Sequence, residues 1–157
     1  MDKILKVYLA GSYRGRADIL EKAKELATKG ILTTSRWLSG ISDAMGNVDT
    51  SGAHERLSTV WATEDLLDID RAHILVLCND IRLEDTTFFH SGGGKFVEMG
   101  YAVAQHKTIM VVGPIENIFQ YLPGIIRQPD WGAALDHLLC LSEDLELGEG
   151  HGNKYNY

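Results

Sequence analysis

The sequence predicts an α/β protein in which helices cover both faces of a five-stranded parallel sheet. Short apolar runs rich in Val and Ile alternate along the chain with longer segments of helical period, and this alternation is typical of successive β-strand and α-helix units. Strands that alternate with helices pair in parallel and are covered on both sides. A length of 157 residues fits one domain. We place that domain at residues 1–147, followed by a glycine-rich tail over residues 148–157.

The five predicted strands are short apolar runs bounded by glycine or polar residues. They cover residues 4–10, 31–34, 74–78, 108–112 and 125–127. The third run, ILVLC, is the most apolar of the five, which predicts a strand at the centre of the sheet.

The predicted helices follow from apolar residues that recur at helical spacing. The first covers residues 17–29 and ends at Gly30, a residue type that commonly follows a helix. In the third, over residues 95–106, we expect Val97, Tyr101 and Ala104 to form an apolar stripe. The other helices are predicted over residues 53–71, 116–122 and 131–144.

Charge and cysteine content exclude several classes of protein. The formal net charge is −7, which argues against a main role in binding nucleic acid or an anionic membrane. The first apolar stretch is too short for a signal peptide or a membrane span, so we expect a cytoplasmic protein. Cys78 and Cys140 lie far apart in apolar segments without metal-ligand spacing. We therefore expect two buried, reduced thiols and no zinc site.

Four loops are candidates for ligand binding, because ligands of parallel α/β sheets bind where loops leave the carboxyl ends of the strands. The loops cover residues 11–16, 36–52, 79–94 and 113–117. The second is long and rich in Gly, Ser, Asp and Asn, and loops of that length tend to be functional or disordered. Asn117 closes the fourth loop and is a candidate substrate-binding residue.

The first loop is a candidate site for an anionic group. Glycine lets the backbone approach a ligand, a serine hydroxyl can donate a hydrogen bond, and two arginines supply positive charge at a helix N-terminus. The spacing matches neither a triphosphate loop nor a dinucleotide fingerprint. The alternative is a turn whose arginines, Arg14 and Arg16, are solvated. The candidate substrate-binding residues here are Gly11, Ser12, Tyr13, Arg14 and Gly15.

Two carboxylates are candidate catalytic groups. Glu98 lies in the first turns of a helix preceded by three consecutive glycines, which are costly in conformational entropy. Asp65 and Asp68 are one turn apart near a helix C-terminus, where acids oppose the helix dipole. The alternative for each acid is a solvated helix surface. The glycines, also candidates for substrate binding, are Gly92, Gly93 and Gly94.

Aromatic residues in or beside these loops are candidates for stacking on a base. Trp37 is the one that we assign to substrate binding, and Tyr13, Phe88 and Phe89 lie in similar positions. Packing in the core is the alternative for each of them.

Four segments carry a resemblance to a known family. They are VYLAGSYRGRADI at residues 7–19, WATEDLLDIDRAHILVL at 61–77, GGGKFVEMGYAVAQHK at 92–107 and VVGPIENIFQYLP at 111–123. In this order, over about residues 5–140, they resemble the nucleoside 2-deoxyribosyltransferase family, which also includes deoxynucleoside 5′-monophosphate N-glycosidases.

The resemblance implies a flavodoxin-like fold and cleavage of the N-glycosidic bond between a base and 2-deoxyribose, with no cofactor. Glu98 matches the family's nucleophile and Asp65 the acid that protonates the leaving base. The segment from Gly11 to Arg16 matches the one that holds the 5′-phosphate in the hydrolase branch. The implied partners are a small deoxynucleoside or deoxynucleotide and a free base. The resemblance also implies a homo-oligomer, because transferases of this family associate and their C-terminal tails reach a neighbouring site.

Two positions depart from the family pattern. Gly92 stands where many transferases have an Asp that takes part in base recognition, and His73 stands where the family usually has Asp. Three functions are therefore weighed: a 2-deoxyribosyltransferase as the leading one, a deoxynucleoside monophosphate N-glycosidase, and a non-catalytic nucleotide-binding module.

Overall fold

A computed structural model describes residues 4–39, 52–80 and 93–146, with side chains from residue 59 onward in the second range. Its sheet has five strands: β1 (Lys6–Ala10), β2 (Leu32–Thr33), β3 (Ile74–Cys78), β4 (Thr108–Val112) and β5 (Ile126–Gln128). The order is β2-β1-β3-β4-β5, and every neighbouring pair is parallel. This is the strand order of a flavodoxin-like fold.

In the described residues, four α-helices cover the sheet in two layers. They are α1 (Arg16–Thr28), α2 (Gly52–Arg71), α3 (Gly94–Ala104) and α4 (Trp131–Glu146). One apolar cluster joins α1 and α4 to one face of the sheet, and a second joins α2 and α3 to the other. The predicted three-layer sandwich is therefore confirmed.

The strands in the middle of the sheet are buried because helices cover both of their faces. All five residues of β3 are buried, as expected for the most apolar run of the sequence. Successive residues of β1 point to opposite faces, so that Val7 packs towards α1 and α4 whereas Tyr8 packs towards α2 and α3.

The helix predicted at residues 116–122 is wrong in type and length. The structure has a single 3-10 turn there, Ile118–Tyr121, which Asn117 caps through its side chain. Further 3-10 turns cover Tyr13–Gly15 and Arg36–Leu38.

The predicted apolar stripe of α3 is also wrong. Val97 is 68% exposed, and the residues that α3 buries are Lys95, Met99 and Ala102. Apolar residues occur on several sides of this helix, so composition did not select the side that contacts the sheet.

One of the two cysteines departs from the prediction. Cys78 is buried in β3 as expected, but Cys140 is exposed. The inward side of α4 is formed by Ala134 and Leu138, and a residue two positions beyond Leu138 points away from that side.

Gly113 is required by the turn after β4. Its φ is +91°, and an added Cβ would lie 2.7 Å from the backbone nitrogen of Asp80. We expect Gly113→Ala to lower the free energy of unfolding by roughly 2–3 kcal/mol, because neither the conformation nor the backbone contact tolerates a side chain.

Urea denaturation of both proteins measures this change. Gly100→Ala is the matched control, since a Cβ on that helical glycine meets nothing within 4 Å, and it should gain about 0.5–1 kcal/mol from helix propensity. Equal stability of Gly113→Ala and the wild type would contradict the assignment.

Candidate active site

The two candidate acids lie on the same face of the sheet. Glu98 is carried by α3 and Asp65 by α2, the two helices that pack against the face to which Tyr8 points. The Tyr8 hydroxyl donates a hydrogen bond of 2.7 Å to Oε1 of Glu98. It also interacts with Asp65, whose pKa it lowers. Three elements therefore bring two carboxyl groups to one phenol.

Tyr8 is a residue of this candidate site that the sequence did not predict. It is fully buried, and burial together with the charges of Glu98 and Asp65 raises its pKa far above the usual range. The phenol therefore stays protonated and acts as a donor. The available signal was a tyrosine in an otherwise aliphatic strand segment, because a buried hydroxyl needs a polar partner.

Burial makes both acids weaker than usual. Burial first, and then the Asp68 carboxylate, raise the pKa of Asp65 to about 6. Burial raises the pKa of Glu98 to about 7, and the charge of Asp65 adds to this rise. The Tyr8 hydrogen bond acts in the opposite direction on both. Perturbed acids that face one another are typical of catalytic sites.

The charge of Asp65 raises the pKa of Glu98, so the two carboxyl groups titrate as an interacting pair. Near neutral pH the pair passes through the state with one proton, and the Tyr8 hydrogen bond favours the charged form of both acids. A pair in this state offers a nucleophilic carboxylate and a proton donor at the same time.

Tyr8→Phe tests the role of the phenol. Phenylalanine fills the same space without the donor, so we expect the pKa of Glu98 to rise above its wild-type value of about 7. Carbon-13 NMR titration of the glutamate carboxyl groups measures this change. Tyr121→Phe, at an exposed tyrosine, is the control and should leave the Glu98 midpoint in place. An unchanged midpoint in Tyr8→Phe would show that the phenol does not stabilise the carboxylate.

Contacts within the protein explain part of the sequence of the first loop, residues 11–16. A Cβ on Gly11 would lie 2.3 Å from Cδ1 of Ile19, so packing against α1 already favours glycine. Nε of Arg16 donates to the carbonyl of Leu38 at 2.9 Å. Arg14 is exposed, which makes it the loop arginine best suited to meet an anion.

Trp37 and Asn117 also make bonds within the protein. The indole N–H of Trp37 donates to the carbonyl of Leu9 at 2.9 Å, and its ring packs against both apolar clusters. Asn117 accepts from the backbone N–H of Phe119 through Oδ1. These bonds fix both side chains at the carboxyl edge of the sheet, and their assignment to substrate binding stays a prediction.

Two of the glycines before Glu98 border open space within the described part of the chain. A Cβ on Gly93 or Gly94 would meet no described residue within 4 Å, so packing against that part of the chain does not demand glycine there. Gly92 lies outside the described residues, as do Phe88 and Phe89 and most of the second and third candidate loops.

A buried polar network that the sequence did not predict anchors the start of α3. Lys95 is buried; it forms an ion pair with Glu116 and donates to Oδ1 of Asn79 at 3.3 Å. Asn79 in turn donates to the carbonyl of Pro114 and to Oε1 of Gln120. This network joins the ends of β3 and β4 to the helix turn that precedes Glu98.

Within the described ranges, no group of three or more His, Cys, Asp or Glu side chains is arranged to hold a metal ion. No helix in that part of the chain is long and apolar enough to cross a bilayer. Comparison of the sequence with protein-family models and with curated proteins gave no match.

Proposed function

We propose that this chain is a nucleoside 2-deoxyribosyltransferase, which cleaves the N-glycosidic bond of a 2′-deoxynucleoside and passes the sugar to a second base. The observation that carries the proposal is the convergence of Asp65 and Glu98 on the Tyr8 phenol, with the pKa of both acids raised towards neutrality. One carboxylate and one carboxylic acid are the two groups that this reaction requires. The sequence resemblance assigns the same two acids.

The first half of the reaction forms a glycosyl ester. An oxygen of the Glu98 carboxylate bonds to C1′ of the deoxyribose as the bond from C1′ to the base nitrogen breaks. The electron pair of that bond goes to the base, which takes the proton of Asp65 and leaves as a neutral molecule. Tyr8 holds the Glu98 carboxylate through its hydrogen bond and so limits its rotation before attack.

The second half reverses these steps with a new base. A nitrogen of the acceptor bonds to C1′, the ester bond to Glu98 breaks, and the proton of the acceptor returns to Asp65. The transition state of each half has oxocarbenium character, and the carboxylates beside it stabilise that positive charge. A chain of net charge −7 suits a neutral substrate that becomes cationic as it reacts.

A deoxynucleoside 5′-monophosphate N-glycosidase is the second candidate, and one observation favours it. Arg14 is exposed in the loop between β1 and α1, where a helix N-terminus adds further attraction for an anion. In this candidate water takes the place of the acceptor base, and the 5′-phosphate binds at residues 11–16.

One comparison of substrates separates the candidates. The protein is incubated with a deoxynucleoside and a second free base, and separately with the corresponding 5′-monophosphate in water. The proposal predicts exchange of bases on the nucleoside. Release of free base from the monophosphate alone would contradict the transferase proposal and identify the N-glycosidase. Binding of either substrate without turnover would identify a non-catalytic binding module.

We further propose a homo-oligomer in the cytoplasm. Exposed apolar side chains at Ile118, Phe119 and Tyr121 support association, because contiguous exposed apolar surface often marks an interface. Light scattering after size-exclusion chromatography measures the mass; a value of 17.4 kDa would identify a monomer and contradict this part of the proposal.

A further inference from the structure

An ion pair joins the end of α2 to the segment after β2. Asp68 is 1% exposed, and both of its carboxylate oxygens accept from Arg36. The bonds run from Nε of Arg36 to Oδ1 and Oδ2, at 2.8 and 3.0 Å, and from its backbone N–H to Oδ2, at 3.0 Å. The guanidinium also contacts the Glu64 side chain at 3.3 Å. Arg71 adds a longer contact to Asp68, at 3.8 Å.

Neighbouring residues fasten the same segment. Thr34 donates to the backbone carbonyl of Asp68 at 2.9 Å, and the backbone N–H of Leu9 donates to the Ser35 hydroxyl at 2.7 Å. With the Trp37 bond to Leu9, these contacts hold residues 34–37 between β1 and α2. The Arg36–Asp68 pair therefore has a fixed geometry.

This pair lies one helical turn from Asp65. Residues three apart on a helix are neighbours on its surface, so the Asp68 carboxylate and the Arg36 guanidinium face the acid from one side. Three elements supply the charged and titratable groups that act on the pKa of Asp65. They are Tyr8 on β1, Arg36 in the 3-10 turn, and Glu64 and Asp68 on α2. The charge of Asp65 acts in turn on Glu98, on α3.

We propose that Asp68 and Arg36 are positioning residues for Asp65, which fix the turn of α2 that carries the acid and place one negative and one positive charge beside it. This inference rests on the proposed function in one respect, the role of Asp65 as the proton donor. Neither residue needs to touch the substrate. The Asp68 carboxylate favours a proton on Asp65, and the guanidinium limits that effect.

The electrostatic environment of Asp65 agrees with this arrangement. Burial, and after it the charge of Asp68, raise the pKa of Asp65, whereas the charge of Arg36 lowers it. The two members of one ion pair therefore act on the acid in opposite directions. A purely structural effect of losing the ion pair would move the Asp65 midpoint in the same direction for both variants, since loss of either member breaks the same contact, whereas loss of the two charges moves it in opposite directions.

Carbon-13 NMR titration of the Asp65 carboxyl group tests the proposal without any substrate. We expect Asp68→Asn to move the midpoint to lower pH and Arg36→Gln to move it to higher pH. Two unit charges about 6 Å apart shift a titration by roughly 0.5 to 2 pH units, as the effective dielectric constant falls from about 80 to about 20. Arg36→Lys keeps the charge and should restore a midpoint near that of the wild type.

Asp136→Asn is the matched control, because Asp136 is exposed on α4 and lies outside the site. Shifts of both variants in the same direction, or no shift, would overturn the proposal. If Asp68→Asn does not fold, the upward shift of Arg36→Gln and its reversal by Arg36→Lys decide the question alone.

A second arm measures the pH dependence of kcat for base exchange. We expect its alkaline limb, where Asp65 loses its proton, to move in the same directions as the NMR midpoints. Opposed NMR shifts without turnover by the wild type would retain the electrostatic proposal and reject the proposed function. Turnover by the wild type together with unmoved NMR midpoints would reject the electrostatic proposal and retain the proposed function.

Discussion

Glu98→Gln is expected to lower kcat for base exchange by about 10⁴-fold or more, the scale seen when a catalytic nucleophile is removed. The glutamine amide keeps an oxygen that accepts from Tyr8 but does not form an ester with C1′. Substrate binding should be nearly unchanged, because the amide has almost the same shape. Initial rates and the dissociation constant of the nucleoside, measured on the same preparation, separate the two effects.

Glu143→Gln is the control for this substitution. It makes the same chemical change at an exposed residue of α4, on the opposite side of the sheet from α3, and it should retain wild-type turnover. If Glu98→Gln kept more than about a tenth of the wild-type rate, a loss of only about 1.4 kcal/mol in transition-state stabilisation, Glu98 would not be the nucleophile.

The same variant is expected to be more stable than the wild type at pH 8. The folded-state pKa of Glu98 is raised from 4.5 to about 7, so above pH 7 the folded protein holds a buried carboxylate that the unfolded chain holds in water. This cost begins as the pH rises through 4.5 and is complete above 7. The advantage of Glu98→Gln should therefore shrink as the pH falls to 4.5. Urea denaturation at pH 8 and at pH 4.5 measures the difference in unfolding free energy between Glu98→Gln and the wild type. An equal difference at both pH values would contradict the raised pKa of Glu98.

Asp65→Asn is expected to lower kcat by about 10²- to 10⁴-fold for an ordinary deoxynucleoside, the range typical of a general acid. Without a donor, the base must leave as an anion, which makes departure the difficult step. The loss should depend on the base. A deoxynucleoside whose base already carries a positive charge, such as N7-methylated deoxyguanosine, releases a neutral base without a proton, and its rate should fall far less.

The pH profile offers a second measure of the same role. The proposed mechanism needs one protonated and one ionised acid, so the wild-type rate should fall on both sides of a maximum that lies near the apparent pKa values of the pair, about 6 and about 7. Asp65→Asn should lose the alkaline limb, since no acid remains to be deprotonated. Equal losses for ordinary and cationic bases, with both limbs intact, would show that Asp65 does not donate the proton.

The fold was predictable because its signal is repeated along the chain. Val and Ile runs mark each strand, and helical periods separate them, so the parallel sheet follows even though the helix at residues 116–122 reduces to a single turn. The side of α3 that packs against the sheet was not predictable. Val97 and Met99 are similar in polarity, and only packing against the sheet buries one and exposes the other.

The candidate site was predictable in part. Asp65 stands out because acids near a helix C-terminus oppose the helix dipole, and Glu98 stands out because three consecutive glycines precede its helix. Tyr8 was hidden in a strand, where an aromatic residue normally indicates core. The roles of Lys95 and Arg36 depend on partners 21 and 32 residues away, Glu116 and Asp68, and such distant pairs are set by tertiary packing, which one sequence does not reveal.

The proposed mechanism depends on a covalent bond between Glu98 and 2-deoxyribose, and mass spectrometry of the protein quenched in acid during turnover detects such a bond. We predict a protein heavier by one 2-deoxyribosyl group, with the added mass on the peptide that contains Glu98, and its disappearance when an acceptor base is added before the quench. Turnover without any adduct, or an adduct on a residue other than Glu98, would contradict this account.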